Sequence, residues 1–427
     1  MDNLDNSPEL ARQLDFNDEL GTFRNHFFIP DKNTIYLDGN SLGRLPLKTK
    51  ELLAEVVTNQ WGTGLIESWN KHWYEKSVQL GDKIAQIVGA AKGEVIVSDS
   101  TSVNLYKLAK TALQFKKEKK EIISDIHNFP TDLYILQGLV KEFGPDYYLN
   151  LVGNAENELP ETEQIIKQIS EKTALIVLSL VSFKSSYLYN AEKITRVAHE
   201  NGALVLWDLS HAAGAVPVEL NKTDADLAVG CTYKFLNGGP GSPAFLYVRK
   251  ELQKKLEPPI QGWFGDGRPF NFELQFKPAQ GIRKFLIGTP PVISQMAIEP
   301  GLNILLEAGI QKIRKKSICQ SDYFISLAHE KLIEHGFKIG SPLNANERGS
   351  HVSLQHPEAY RICQALIHPQ KTGIKIIPDF RNPNNIRFGI TPLYTTFYEL
   401  WKTIERLQII VSHNEFKNHS IHRKTVT

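Results

Sequence analysis

The sequence predicts an α/β fold: a large domain built on a mostly parallel, mixed sheet, followed by a smaller α+β domain. Three observations carry this reading. A chain of 427 residues is too long for one compact core of ordinary size. From about residue 50 to 250, short continuous runs of aliphatic and β-branched residues alternate with helical stretches, the pattern of strands buried on both faces of a parallel sheet. Beyond the Pro- and Gly-rich residues 281–291 the pattern changes to a long helical stretch followed by scattered short strands.

In chain order, strands are expected at 95–97, 122–123, 147–149, 174–181, 203–206, 227–229 and 245–248, with helices such as 160–170 and 192–201 between them. The strands near 225–231 and 243–248 are joined by KFLNGGPG, too short for a crossover helix, so this pair is expected to be antiparallel and the sheet mixed at one edge. The second domain reads as a helix over 299–335, strands at 351–354, 374–377 and 386–389, and a closing helix at 396–411. The division expected is an N-terminal segment, 1–50, a large domain, 51–295, and a small domain, 296–427.

Composition narrows the function classes. The hydrophobic fraction of 41% with 22% charged residues is that of a soluble globular chain, and 49 Lys plus Arg against 47 Asp plus Glu leave no basic stripe for nucleic acid. The longest apolar run, 174–181, is under half of the roughly 20 residues that cross a bilayer, so no membrane partner is expected. MDNLDNSPEL has neither a basic n-region nor an apolar h-region, and the expected location is cytoplasmic. Three cysteines, Cys231, Cys319 and Cys363, without a CxxC pair, argue against a disulfide framework and against a metal site.

The chemistry gathers around two residues. Asp208 ends the apolar run 203–206, where open α/β sheets bind ligands. Alone it could cap a helix. Lys234, however, follows the next strand and precedes the turn Gly238-Gly239-Pro240-Gly241, an unusual setting for a surface lysine. A carboxylate to pair with a pyridinium nitrogen and a lysine to form a Schiff base are the two groups pyridoxal 5'-phosphate most needs from a protein. Ser100, Thr101 and Ser102 follow the strand at 95–97 and open a helical stretch, so hydroxyls and backbone N–H groups collect where a phosphate could sit, although an ordinary helix cap reads the same way. Phe129 offers an aromatic face for the ring.

The segments YLDGNSLGRLP (36–46), WGTGLIESWN (61–70), NFPTDLY (128–134), WDLSHAAGAVP (207–217), TYKFLNGGPGSPAFLYV (232–248), GWFG (262–265), GTPPVISQMAIEPGL (288–302) and DFRNPNNIRFGITPLY (379–394) together resemble the kynureninase family, in order, from about residue 15 to 410. The resemblance implies the aspartate-aminotransferase-like fold, a homodimer, pyridoxal 5'-phosphate, and hydrolysis of L-kynurenine to anthranilate and L-alanine.

It further implies that Lys234 carries the cofactor, that Asp208 pairs with its ring nitrogen, that His211 and Phe129 flank the ring, and that Tyr233 shuttles protons. Thr101, Ser102 and Tyr233 would contact the phosphate, with Trp263 and Thr289 reaching it from a partner subunit, and Asp132 and Ser179 would complete the pocket. Arg387 would grip the substrate α-carboxylate, with Asn40, Ser41, Trp69, Gly288 and Thr289 as further substrate contacts. Trp69 and Gly288-Thr289 match the bacterial type, which favours L-kynurenine over its 3-hydroxy derivative. Residues 182–186, SFKSS, depart from a Thr-Gly pair common in the family. Rival readings are a cysteine desulfurase or aminotransferase of the same fold group, or a cofactor-bound sensor without turnover. A desulfurase needs a mobile nucleophilic cysteine, and Cys363 falls in an apparent helix instead.

Overall fold

The computed structural model describes residues 7–154, 159–369 and 373–423. Its strands are β1 (Thr34–Tyr36), β2 (Val95–Val97), β3 (Glu121–Asp125), β4 (Tyr148–Val152), β5 (Thr173–Ser179), β6 (Leu204–Asp208), β7 (Leu227–Gly230), β8 (Phe245–Val248), β9 (Lys338–Ile339), β10 (His351–Gln355), β11 (Lys375–Ile377), β12 (Asp379–Arg381) and β13 (Asn385–Gly389).

Strands β2 to β8 form one seven-stranded sheet in the order β2-β8-β7-β6-β5-β3-β4. Every residue of β5, β6 and β7 is buried, as the unbroken apolar runs require of strands covered by helices on both faces. Strand β8 runs antiparallel to both its neighbours, β7 and β2. The reversal therefore lies one strand in from the edge, because β2 returns beside β8 in the common direction. Two apolar clusters sandwich the sheet, one holding Val205 and Trp207, the other Leu204 and Leu206, so alternate residues of β6 face opposite layers.

A second sheet, in the order β12-β13-β10-β9, is antiparallel throughout. One face is apolar, with Val352, Leu354, Ile386 and Phe388 packed on the helices Ile310–Leu332 and Phe397–Ser412. The other is polar and largely buried, carrying His351, Ser353, Gln355, Asn385 and Arg387. The period of two in each strand produces this division.

One expectation is corrected. The helix read as continuous over 299–335 is broken at Gly309, whose φ of 78° no helix accommodates, giving Ile298–Ala308 and Ile310–Leu332. The strand expected at 374–377 is present as Lys375–Ile377, outside the second sheet. It pairs in parallel with β1, so Thr34–Tyr36 is carried to the C-terminal half of the chain.

Candidate active site

Parallel strands place their carboxyl ends along one rim of the sheet, and the polar cluster forms there. Ser179 and Asp208, the last residues of β5 and β6, are register partners. Asp208 Oδ1 accepts from the Ser210 N–H at 2.9 Å and from its hydroxyl at 2.6 Å. Ser179 Oγ is 3.4 Å from Asp208 Oδ2 but 2.7 Å from Asn128 Oδ1, and its single proton goes to the nearer acceptor. Asn128 is held in turn by donating to Ser124 Oγ at 3.1 Å and accepting from the Phe129 N–H at 2.8 Å. One oxygen of Asp208 is thus saturated, and the other keeps capacity for a cationic donor.

Asp132, in the first turn of the helix Pro130–Phe143, is buried with Oδ2 unpartnered. Burial, reinforced by the nearby Asp208 charge, pushes its carboxyl well above the ordinary range and so favours its neutral form. His211 is also buried. Its ring nitrogens are 3.4 and 3.5 Å from Lys234 Nζ, and desolvation together with that ammonium holds the imidazole neutral. Lys234 Nζ lies 5.8 Å from the Phe129 ring centroid and 5.9 Å from that of Tyr233. The Tyr233 hydroxyl is held in its neutral form by the Cys231 thiol beside it and by burial.

Next to this cluster is a cavity of about 670 Å³ whose wall includes Thr101, Ser102, Tyr233, Gly288 and Thr289. The helix Thr101–Phe115 begins on it, capped by Ser100 Oγ, which accepts from the Val103 N–H at 3.4 Å. A helix N-terminus with three adjacent hydroxyls suits a phosphate. A Cβ added at Gly288 would meet only open space, so that wall is set back from its surroundings. A single chain thus already brings Gly288 and Thr289 to the same cavity as Thr101 and Ser102.

The polar face of the second sheet supplies the third part. Arg387 is 1% exposed; its Nη1 donates to the Phe183 carbonyl and its Nη2 to Asp379 Oδ2, with Ser41 Oγ 3.2 Å away. Asn40 lies against Gly389, where a Cβ would come within 1.9 Å of Asn40 Oδ1, so only glycine leaves room for it. Both polar atoms of the Asn40 side chain are buried without partners.

Trp69 and Trp263 stand apart from these groups. With Trp73, Tyr74, Phe264 and Phe270 they form an aromatic cluster in which Trp263 is 41% exposed and Phe270 57%.

Sequence reasoning passed over Asn128, Phe183, His351 and Asp379 as site groups. The departing SFKSS loop is the one whose Phe183 carbonyl holds Arg387 and whose Phe183 ring meets Phe129 edge-on at 5.3 Å. His351 is fully buried, its ring 5.6 Å from that of His211, and neither nitrogen meets hydrogen-bond geometry, the Phe183 backbone approaching without completing a bond. The signal available for His351 and Asp379 was the polar-apolar alternation within β10 and β12. Among the described residues, no group of three or more His, Cys, Asp or Glu is placed to hold a metal ion, and no helix is long and apolar enough to cross a membrane.

The family described as the kynureninase C-terminal domain matches residues 313–407. A kynureninase of Pseudomonas fluorescens is 42% identical over 399 residues, covering 92% of this chain and 93% of its own. A kynureninase of Burkholderia pseudomallei is 41% identical, covering 94% and 95%. Among solved structures, a cysteine desulfurase from Escherichia coli superposes with a TM-score of 0.75 at 14% identity over 92% of this chain and 99% of that one, a likeness of fold.

Proposed function

The chain belongs to the kynureninase family and hydrolyses the β,γ carbon–carbon bond of L-kynurenine to anthranilate and L-alanine with pyridoxal 5'-phosphate; we propose that the cluster around Lys234 is where it does so. The observation that carries this assignment is the convergence, at one rim of the sheet, of a lysine amine, an ionisable carboxylate with one free oxygen, and a hydroxyl-rich helix N-terminus.

The donor set fits the cofactor. Lys234 would hold it covalently, Asp208 Oδ2 would face the ring nitrogen, and Phe129 and His211 would flank the ring. Thr101, Ser102 and Tyr233 would hold the phosphate, with Ser179 and Asp132 completing the pocket. When bound, the cofactor supplies an electron sink for the substrate carbon.

The chain's own residues do the rest. Lys234, once released, is the base that takes the α-proton. His211 stays neutral beside it and adds no competing positive charge. Tyr233, neutral and adjacent in the chain, is the proton shuttle of this proposal. Arg387, with Asn40 and Ser41 beside it, binds the substrate α-carboxylate through its guanidinium fork. Trp69, Gly288 and Thr289 form the aromatic end of the substrate site.

Trp69 and Trp263 belong to the same proposal through a homodimer, in which one subunit's aromatic cluster approaches the other's site. Support comes from the exposed apolar side chains on the two segments concerned, Trp61, Leu65 and Ile66 on one, Phe270, Phe272 and Leu274 on the other. For the division into 1–50, 51–295 and 296–427 the support is that Ile35 and Leu37 pack among residues of the C-terminal half, although Ile298, Leu302 and Leu305 of the third segment pack in the cluster on the large sheet. A cytoplasmic setting accords with three free cysteines. Cys363 is buried within the helix Ala359–Ile367 and its thiol is pushed well up by burial, the opposite of a desulfurase nucleophile.

The test is anthranilate fluorescence after L-kynurenine is added to the cofactor-loaded protein, with L-alanine measured alongside. Equal amounts of both products are expected. A fully loaded protein that releases neither would overturn the reading.

A further inference from the structure

Arg387 is already occupied by a carboxylate that belongs to the protein. Register places Asp379 directly opposite Arg387, and Arg381 opposite Asn385, on the polar face of the second sheet. Asp379 Oδ2 accepts from Arg387 Nη2, from Ser41 Oγ at 3.1 Å, and lies 2.9 Å from Arg381 Nη2. The two arginines that share this oxygen differ in setting: Arg387 is sealed in, whereas the Arg381 side chain is 37% exposed. Of the three nitrogens of Arg387, Nη1 serves the Phe183 carbonyl, Nη2 serves Asp379, and Nε has no partner.

A guanidinium this deeply buried requires a counter-charge at all times. A second carboxylate brought to it while Asp379 stays in place would set like charges against each other. Asp38 is a further carboxyl near Asp379, pushed up to about 7 by burial and by the Asp379 charge, so another negative neighbour would favour its neutral form and it supplies no counter-charge. Relief comes from Arg381, which needs only to keep the oxygen it already touches.

We propose that Asp379 is a positioning residue that stands in for the substrate's α-carboxylate, holding Arg387 in the substrate-free enzyme and passing to Arg381 when that carboxylate arrives. The proposal rests on the assignment of Arg387 to the carboxylate. Buried Arg387 is never without an anion, and it is aimed before the substrate binds. Affinity is then set by an exchange: the tighter Arg381 holds Asp379, the tighter the enzyme binds an amino acid, while an amine lacking a carboxylate cannot drive the exchange.

The experiment measures kcat and KM for L-kynurenine, and inhibition by its decarboxylated amine, on cofactor-loaded wild type, Arg387→Gln, Arg381→Gln, Asp379→Asn and the double variant Asp379→Asn/Arg381→Gln. Arg381→Gln, which leaves the buried pair intact, is expected to raise KM about tenfold with a much smaller change in kcat, and the double variant to return KM to that of Asp379→Asn, as coupled neighbours require. Inhibition by the amine should not move in Arg381→Gln. An unchanged KM in Arg381→Gln, or additive losses in the double variant, would overturn the exchange, and the first of these decides the matter even if Asp379→Asn does not fold. Should Arg387→Gln bind L-kynurenine as the wild type does, the carboxylate assignment itself falls, a result separate from failure of the exchange.

Discussion

Ser179 and Asp208 end neighbouring parallel strands in register, yet the serine hydroxyl turns to Asn128 at 2.7 Å and leaves Asp208 Oδ2 with only a 3.4 Å contact. The carboxylate is therefore fixed through one oxygen and open at the other. Asp208→Asn keeps the shape and the Ser210 bonds while removing the charge that holds a ring proton. It is expected to lower kcat by about a hundredfold or more, the scale of a lost acid–base partner, with little change in cofactor content. Rapid-quench or steady-state anthranilate assays on loaded protein check this.

Lys234→Ala is expected to abolish covalent attachment while the phosphate site at Thr101 and Ser102 still binds the cofactor reversibly. Borohydride treatment followed by mass measurement distinguishes the two states. Cofactor fixed to the variant would place the attachment elsewhere.

A homodimer is expected at assay concentration, formed through the segments that carry Trp61 to Ile66 and Trp263 to Leu274. Leu274 is fully exposed in one chain, so Phe272→Asp together with Leu274→Asp should shift sedimentation towards monomer and cut activity. A wild-type monomer that is fully active would contradict this.

Substrate choice is expected to favour L-kynurenine over 3-hydroxykynurenine in kcat/KM. Trp69 offers an apolar face with one N–H donor, and Gly288 offers open space. Neither leaves a polar group unpaired when the 3-hydroxyl is missing, which is what strong discrimination against L-kynurenine would need. Trp69→His with Thr289→Asn should move the ratio towards the hydroxylated substrate.

His199 supplies a pH-dependent contribution to stability remote from the site. Its Nε2 is 2.9 Å from Asp226 Oδ2, and this bond raises the imidazole above its ordinary value of 6.5. A folded-state value above the unfolded one makes the contribution complete below about pH 6.5 and lets it fade as pH rises through the folded value. His199→Gln should cost about 1 kcal/mol at pH 5.5, a figure reduced for partial exposure, and progressively less towards pH 9. Urea midpoints at the two pH values provide the comparison.

The sequence by itself determined the layered α/β class, the strands β2 to β8, the antiparallel turn after Lys234, and the placing of Asp208 at a strand end and of Lys234 before the Gly-rich turn. These depend on local periodicity and on short connections, in which hydrophobic run length and turn composition leave few alternatives. Tertiary structure alone decided which polar groups meet. Phe183 reaches Arg387 from a loop 204 residues away, and Ser41 reaches Asp379 across 338. It also carried Lys375–Ile377 away from the second sheet to pair with Thr34–Tyr36. Alternation in β10, β12 and β13 marks one polar face in each strand, but only the cross-strand register sets Asp379 opposite Arg387, and a slip of one residue would turn the arginine into the apolar core.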